Sequence, residues 1–170
     1  MKPLFHSSLY QFDQAQPSYW EASTGSTQPP SEKLTGAQSC DVAIIGGGYT
    51  GLSAALHLAR DYDIDVCLLE AGHIGWGASG RNGGFCTIGM TKVSLASQLK
   101  KFGVEQTRAF YQSQVDAVNL VRALGEDESI DFLPQGDCEF VVADSDAHLA
   151  ALQEAVEIER TLLGLDVTVH

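Results

Sequence analysis

One run constrains this 170-residue chain more than any other: Val42-Ala43-Ile44-Ile45-Gly46-Gly47-Gly48-Tyr49-Thr50-Gly51, followed by Glu70 at the end of the next apolar stretch. Val42 to Ile45 is short, continuous and rich in β-branched residues, as a parallel strand buried on both faces requires. Gly46, Gly48 and Gly51 then fall at G-x-G-x-x-G spacing. Gly46 allows a tight turn out of the strand, Gly48 lets backbone approach a pyrophosphate, and Gly51 lets the next helix pack close to the sheet. That helix is expected from about Tyr49 to about Arg60, with Leu52, Ala55, Leu56 and Ala59 on one apolar face. Its amino end offers free N–H groups and a positive dipole to an anion. Ile64 to Leu69 reads as the second strand. Glu70 closes it about 20 residues past Gly51, where a carboxylate accepts from ribose hydroxyls and repels a 2′-phosphate, which disfavours NADP. The plainer reading is an ordinary βαβ unit with a Gly-rich turn and a strand-end acid.

The next segment, Gly75-Trp76-Gly77-Ala78-Ser79-Gly80-Arg81-Asn82-Gly83-Gly84, holds five glycines in ten residues. A simple NAD fold goes on into a second crossover helix at this point. Here the chain exposes backbone together with a hydroxyl, a guanidinium and an amide. Such a loop can follow a pyrophosphate toward a ring system beyond it, with Arg81 offering fixed-geometry donors to an anion. Two other readings stand beside this one: Arg81 paired with an acid such as Glu70, and glycines that merely make a mobile loop.

Asp41 to Ala55 together with Gly75 to Gly84 resembles the FAD-dependent amine and amino-acid oxidoreductases of the D-amino-acid oxidase/glycine oxidase superfamily. Ser18-Tyr19-Trp20, ahead of the first strand, is similar to the opening of the branch that oxidises gamma-glutamylputrescine. The resemblance implies FAD as cofactor. It carries Gly46, Gly48 and Gly51 to the FAD pyrophosphate and Glu70 to the adenosine ribose, and Ser79, Arg81, Asn82 and Gly83 to the loop that approaches pyrophosphate and flavin; Thr50 and Ala71 complete the implied cofactor-binding set. It implies oxidation of a C–N bond of an amine or amino acid, gamma-glutamylputrescine-like substrates included, by hydride transfer to flavin N5. No catalytic residue is nominated, because substrate-orienting groups in this family come from a second domain. The implied fold is α/β, a Rossmann-like FAD-binding βαβ unit followed by the start of an α+β substrate domain. Family members are considerably longer, so the chain is expected to be an N-terminal part of a longer enzyme. A non-catalytic FAD-binding module or subunit, completed by another chain, is the alternative, and an NAD-dependent dehydrogenase is a third.

The net charge of −12, from 10 basic and 22 acidic residues, argues against nucleic acid or an anionic membrane as partner and leaves a small-molecule amine. Cys40, Cys67, Cys86 and Cys138 form no C-x-x-C pair and no zinc-ligand pattern with histidine, so no metal is expected. The lack of a disulfide framework fits a reducing compartment. Met1-Lys2-Pro3-Leu4-Phe5-His6 lacks the apolar run of a signal peptide, and no stretch has the apolar length to cross a bilayer, so a cytoplasmic protein is expected.

Three regions follow: an extended N-terminal arm (1–39), the FAD-binding unit with its glycine-rich loop (40–90), and helices opening a substrate domain (91–170). In the arm, Pro29-Pro30 and Gly36 mark extended chain. Tyr10, Phe12, Tyr19 and Trp20 interrupt its polarity, the pattern of an arm docked on a domain surface, with a partner-binding motif as the alternative. Beyond residue 90, helices are expected over 93–101 and about 104–124. The second buries Tyr111, Val115, Val118 and Val121 and stops at Gly125. Glu126-Asp127-Glu128 reads as a solvated acidic turn. Asp137 to Ala143, centred on Phe140-Val141-Val142, reads as a strand. Ser145 or Asp146 caps a helix from about Ala147 to Leu163 that ends at Gly164. Asp166 to His170 opens another strand. His57 lies beside the apolar stripe of its helix and reads as exposed, His73 reads as shaping the turn after Glu70 rather than binding a metal, and His148 and His170 carry no partner pattern.

Overall fold

The computed structural model describes residues 4–14, 17–25, 31–89, 91–136 and 138–169. It is a mixed helix and strand structure with a small parallel sheet, divided into two compact units, Met1–Gly84 and Phe85–His170. Among the described residues no helix is long and apolar enough to cross a membrane. Pro29 and Pro30, Asp137 and His170 lie outside the described residues.

The first unit is built on β1 (Val42–Ile45) and β2 (Val66–Leu69), paired in parallel with Val42 opposite Val66 and Ile45 opposite Leu69. Helix α1 (Tyr19–Thr24) precedes the sheet, and α2 (Tyr49–Tyr62) is the crossover between its strands. The second strand is two residues shorter at its start than Ile64 to Leu69, and α2 is two residues longer than expected. Asp63 ends α2 in the left-handed conformation at φ 55°, which a short polar side chain tolerates.

Two expectations about these elements need correction. β1 is not buried on both faces: Val42 and Ile44 are half-buried, while Ala43 and Ile45 point to solvent and Ile45 is 88% exposed. A two-strand sheet with one helix covers only one face of each strand. The buried side of α2 is also shifted. Ala55 and Leu56 are half-buried as expected, but Leu52 and Ala59 are exposed, and Leu58 and His57 take their places. His57 bonds Asp61 one turn on, at 2.8 Å.

The second unit is helical. Helix α3 (Leu95–Asp127) opens at Ser94, whose hydroxyl accepts from the Ser97 N–H. Gly103 (φ 78°, ψ 172°) breaks it into the two helical segments read in the sequence. Thr107, just beyond the break, is fully buried and donates to the Gly103 carbonyl at 2.8 Å. Tyr111 is buried, and Val115 and Val118 are half-buried, but Val121 faces solvent. Gly125 does not stop the helix. It is buried and helical, with Phe132 lying where a Cβ would stand, and the helix runs on to Asp127. Helix α4 (Asp146–Ile158) begins at Ser145, which caps the His148 N–H. A π-helical turn, Glu159–Leu163, then delivers the chain to Gly164 at φ 71°. Arg108 of α3 donates to the Leu162 carbonyl at 2.6 Å and ties this turn to α3, and Leu163 is buried.

The two strands expected in this unit do not form over 138–143 or 166–169. The residues have strand chemistry, but an extended segment becomes a strand only when a neighbour meets its N–H and C=O groups. No strand pairs with either segment among the described residues, and Phe140 and Val142 are 80% and 81% exposed.

Candidate cofactor site

The strand–turn–helix of the first unit encloses a groove of about 330 Å³ lined by Ile44, Ile45, Gly46, Gly48, Tyr49, Thr50, Gly51, Ala54 and Ser79. The turn that makes it depends on two glycines in different ways. Gly46 donates to the Leu69 carbonyl at 2.7 Å and holds φ at 106°, in the region that favours glycine. Gly51 is buried against the same turn, and a Cβ there would run into the Gly46 carbonyl oxygen. Gly48 caps α2 with no side chain, so the amino end of the helix opens directly on the groove. The Tyr49 N–H is met from across it by the Ser79 hydroxyl at 3.0 Å.

Glu70 sits behind this turn. One carboxylate oxygen accepts from the Gly47 N–H at 2.6 Å, the other from the Gly72 N–H at 2.9 Å. Burial works to raise the Glu70 carboxyl. The backbone N–H groups of Gly72, Gly47 and Ala71 outweigh it, with help from His73, and hold the group below its ordinary value. The acid is therefore ionised and ties the end of β2 to the turn after β1. Three backbone N–H groups on about four lone-pair sites leave room for one ligand hydroxyl.

The loop 75–84 closes the site. Gly75 donates to the Gly47 carbonyl at 3.0 Å, and Ala78–Gly80 makes a single 3-10 turn that presents Ser79. The Asn82 amide donates to the Ser79 carbonyl at 2.7 Å and to the Tyr49 hydroxyl at 3.2 Å, while its oxygen accepts from the Gly84 N–H. The guanidinium of Arg81 lies 4.5 Å from the centre of the Trp76 ring, a cation–π contact, and not against Glu70.

Of the ten residues singled out in the sequence, Gly46, Gly48, Thr50, Gly51 and Ser79 line the groove. Asn82 reaches it through Tyr49 and Ser79. Glu70 and Ala71 support the turn from behind, and Arg81 and Gly83 lie exposed on the loop. The sequence reading missed Gly47, whose N–H holds Glu70 and whose Cβ would stand 2.6 Å from Ile74 Cδ1. It also missed Tyr49. The uninterrupted Gly46-Gly47-Gly48 run was the available signal for the first. Nothing in the sequence marked the second.

The FAD dependent oxidoreductase family, DAO, matches residues 41–169. The chain belongs to this family. Family membership makes FAD the cofactor class, and the groove fits the phosphate end of such a molecule. Its lining carries no carboxylate, it ends on the amino terminus of a 14-residue helix, and a Cβ at Gly48 would intrude to 2.9 Å from the Ser79 hydroxyl. The chain is 37% identical over 142 residues to gamma-glutamylputrescine oxidoreductase of Escherichia coli K12, covering 82% of this chain and 32% of that one. It is 39% identical over 117 residues to the probable oxidoreductase OrdL of Rhizobium meliloti, covering 68% and 27%. The chain thus spans about a third or less of the length of these curated relatives. No solved structure matches it at a significant level. Among the described residues no cluster of histidine, cysteine and acidic groups suits a metal ion.

Proposed function

We propose that this chain is the dinucleotide-holding part of an FAD-dependent oxidoreductase that oxidises a C–N bond of an amine or amino acid. The observation that carries this reading is the convergence of Gly46, Gly48, Thr50, Gly51 and Ser79 on one groove at the amino end of α2, inside a match to the FAD dependent oxidoreductase family. The β1–α2–β2 unit is read as the first half of a Rossmann fold. The helix dipole and the first-turn N–H groups offset the charge of the pyrophosphate. The Ser79 hydroxyl adds a donor on the opposite wall. Glu70, kept ionised by backbone donors, would accept from a ribose hydroxyl, and Arg81 and Gly83 would belong to the loop that runs toward pyrophosphate and flavin. FAD, when bound, supplies the two-electron chemistry that oxidises the substrate. The likeness to gamma-glutamylputrescine oxidoreductase makes a γ-glutamylated amine the first substrate to test.

The test is spectroscopic. The purified chain is expected to take up FAD and to bleach under anaerobic conditions on addition of the amine. A chain that takes up no FAD, or that exchanges it readily for NADH, contradicts the reading. A second reading is FAD binding without turnover, in a chain that needs further protein to complete its site. The solvent-facing apolar side of β1, with Ile45 88% exposed, favours it. Uptake of FAD without bleaching by any amine would select it.

A further inference from the structure

The arm ahead of the sheet is packed onto the glycine-rich loop by contacts that the cofactor reading does not use. The indole N–H of Trp20 donates to the Asn82 carbonyl at 2.9 Å. The same ring lies against Gly84, which holds φ at 75°, and occupies the space a Cβ would need there. One turn away, Ser18 donates to the Gly80 carbonyl at 2.5 Å, and Glu21 meets His73 at 2.6 Å. Phe12 packs against Trp76 with ring centres 5.0 Å apart and planes tilted by 60°, and the Trp76 indole donates to the Gln14 carbonyl at 3.4 Å. A loop with five glycines in ten residues loses more backbone entropy on ordering than one with fewer, so external contacts help to hold it. The arm supplies them at Gly80, Asn82 and Gly84, on the stretch that directly follows the groove-lining Ser79. From Asn82 the connection runs through its amide to the Ser79 carbonyl and the Tyr49 hydroxyl, both on groove-lining residues.

We infer that Trp20 is a positioning residue of the cofactor site: with Ser18, it holds loop 79–84 in the shape that accepts FAD. This rests on the cofactor reading above. Because the loop is ordered before FAD arrives, the entropy of ordering it is not charged against binding, and affinity rises accordingly. Trp20 touches neither the groove nor, on this account, the cofactor.

The test compares the full chain with Trp20→Ala and Trp20→Phe by two readouts. Amide hydrogen exchange on the FAD-free protein is expected to speed up at Arg81 and Gly84 in Trp20→Ala, with the amides of β1 and β2 unchanged. FAD affinity, from quenching of flavin fluorescence, is expected to fall about tenfold in Trp20→Ala, the scale of one lost hydrogen bond and its packing. Trp20→Phe, which keeps an aromatic ring but loses both the N–H and the outer indole carbons that lie against Gly84, is expected to recover only a small part of both. Unchanged exchange at the loop overturns the inference, as does faster exchange with undiminished FAD affinity. Faster exchange across β1 and β2 as well would show a general loss of structure and overturn it too. Failure of the unsubstituted chain to take up FAD would instead sink the cofactor reading, and the exchange comparison, made without FAD, separates that failure from this one.

Discussion

The two units put similar sequences to opposite uses. In the first, Val42–Ile45 and Val66–Leu69 find each other, and the backbone that joins them does the work: N–H groups, one carbonyl-lined turn and glycines where side chains cannot fit. In the second, Phe140-Val141-Val142 is likewise apolar and rich in β-branched residues but pairs with no strand among the described residues and stays exposed. Its order comes from side chains on helices, through Thr107, Tyr111 and Leu163. The difference teaches that strand chemistry is a condition for a sheet and a pairing partner is the other one. It also predicts where each unit is fragile. The first is sensitive to an added methyl group, the second to a lost contact.

The largest effect is expected from Gly51→Val, which drives a branched side chain into the Gly46 carbonyl. It should destabilise the first unit by about 3 kcal/mol, the upper range for overpacking, and abolish FAD uptake, as read by urea unfolding and fluorescence titration. An effect on the helical unit of equal size would break the comparison. Glu70→Ala comes next. It strands the Gly47 and Gly72 N–H groups, at about 1–2 kcal/mol given that the site is only part-buried. This contribution has a pH signature. The folded carboxyl lies below its ordinary value, so the stabilisation is fully present above the unfolded-state value of about 4.5 and is lost as the pH falls through the folded one. Unfolding free energies of the two proteins should therefore differ at pH 7 and converge in acid. A constant difference would contradict the carboxylate's role.

In the second unit, Thr107→Val keeps the shape and removes the bond to the Gly103 carbonyl. A loss of about 1 kcal/mol, with FAD affinity untouched, is expected from parallel unfolding and binding measurements. The smallest effect belongs to Val142→Ser, on the exposed segment, within about 0.5 kcal/mol by thermal unfolding. A larger loss would mean that segment is paired after all.

Much of the first unit was legible because its signals are local. The glycine spacing, the apolar runs and the strand-end acid each specify a backbone conformation within a few residues. The turn at Gly46, both strands and the crossover helix follow from them. The role of Glu70 was half legible. Its place at the strand end could be read, but its grip on Gly47 arises only when β1 and β2 stand side by side. The second unit was legible in its helices, down to the Ser145 cap and the Gly164 stop. It was not legible at Gly125, where Phe132 from beyond the helix fills the space and the helix continues. The arm fell between these cases. Phe12 and Trp20 read as docking residues, but their targets, Trp76 and the carbonyl of Asn82, lie more than 60 positions away and leave no trace in local pattern.

The central claim is that FAD lies along the groove at the amino end of α2. Hydrogen exchange of the full chain with and without saturating FAD tests it most directly. The account predicts new protection at residues 46–51 and 79–84, with the amides of α3 unchanged. Protection confined to α3, or none in the 46–51 turn while FAD is bound, would contradict it.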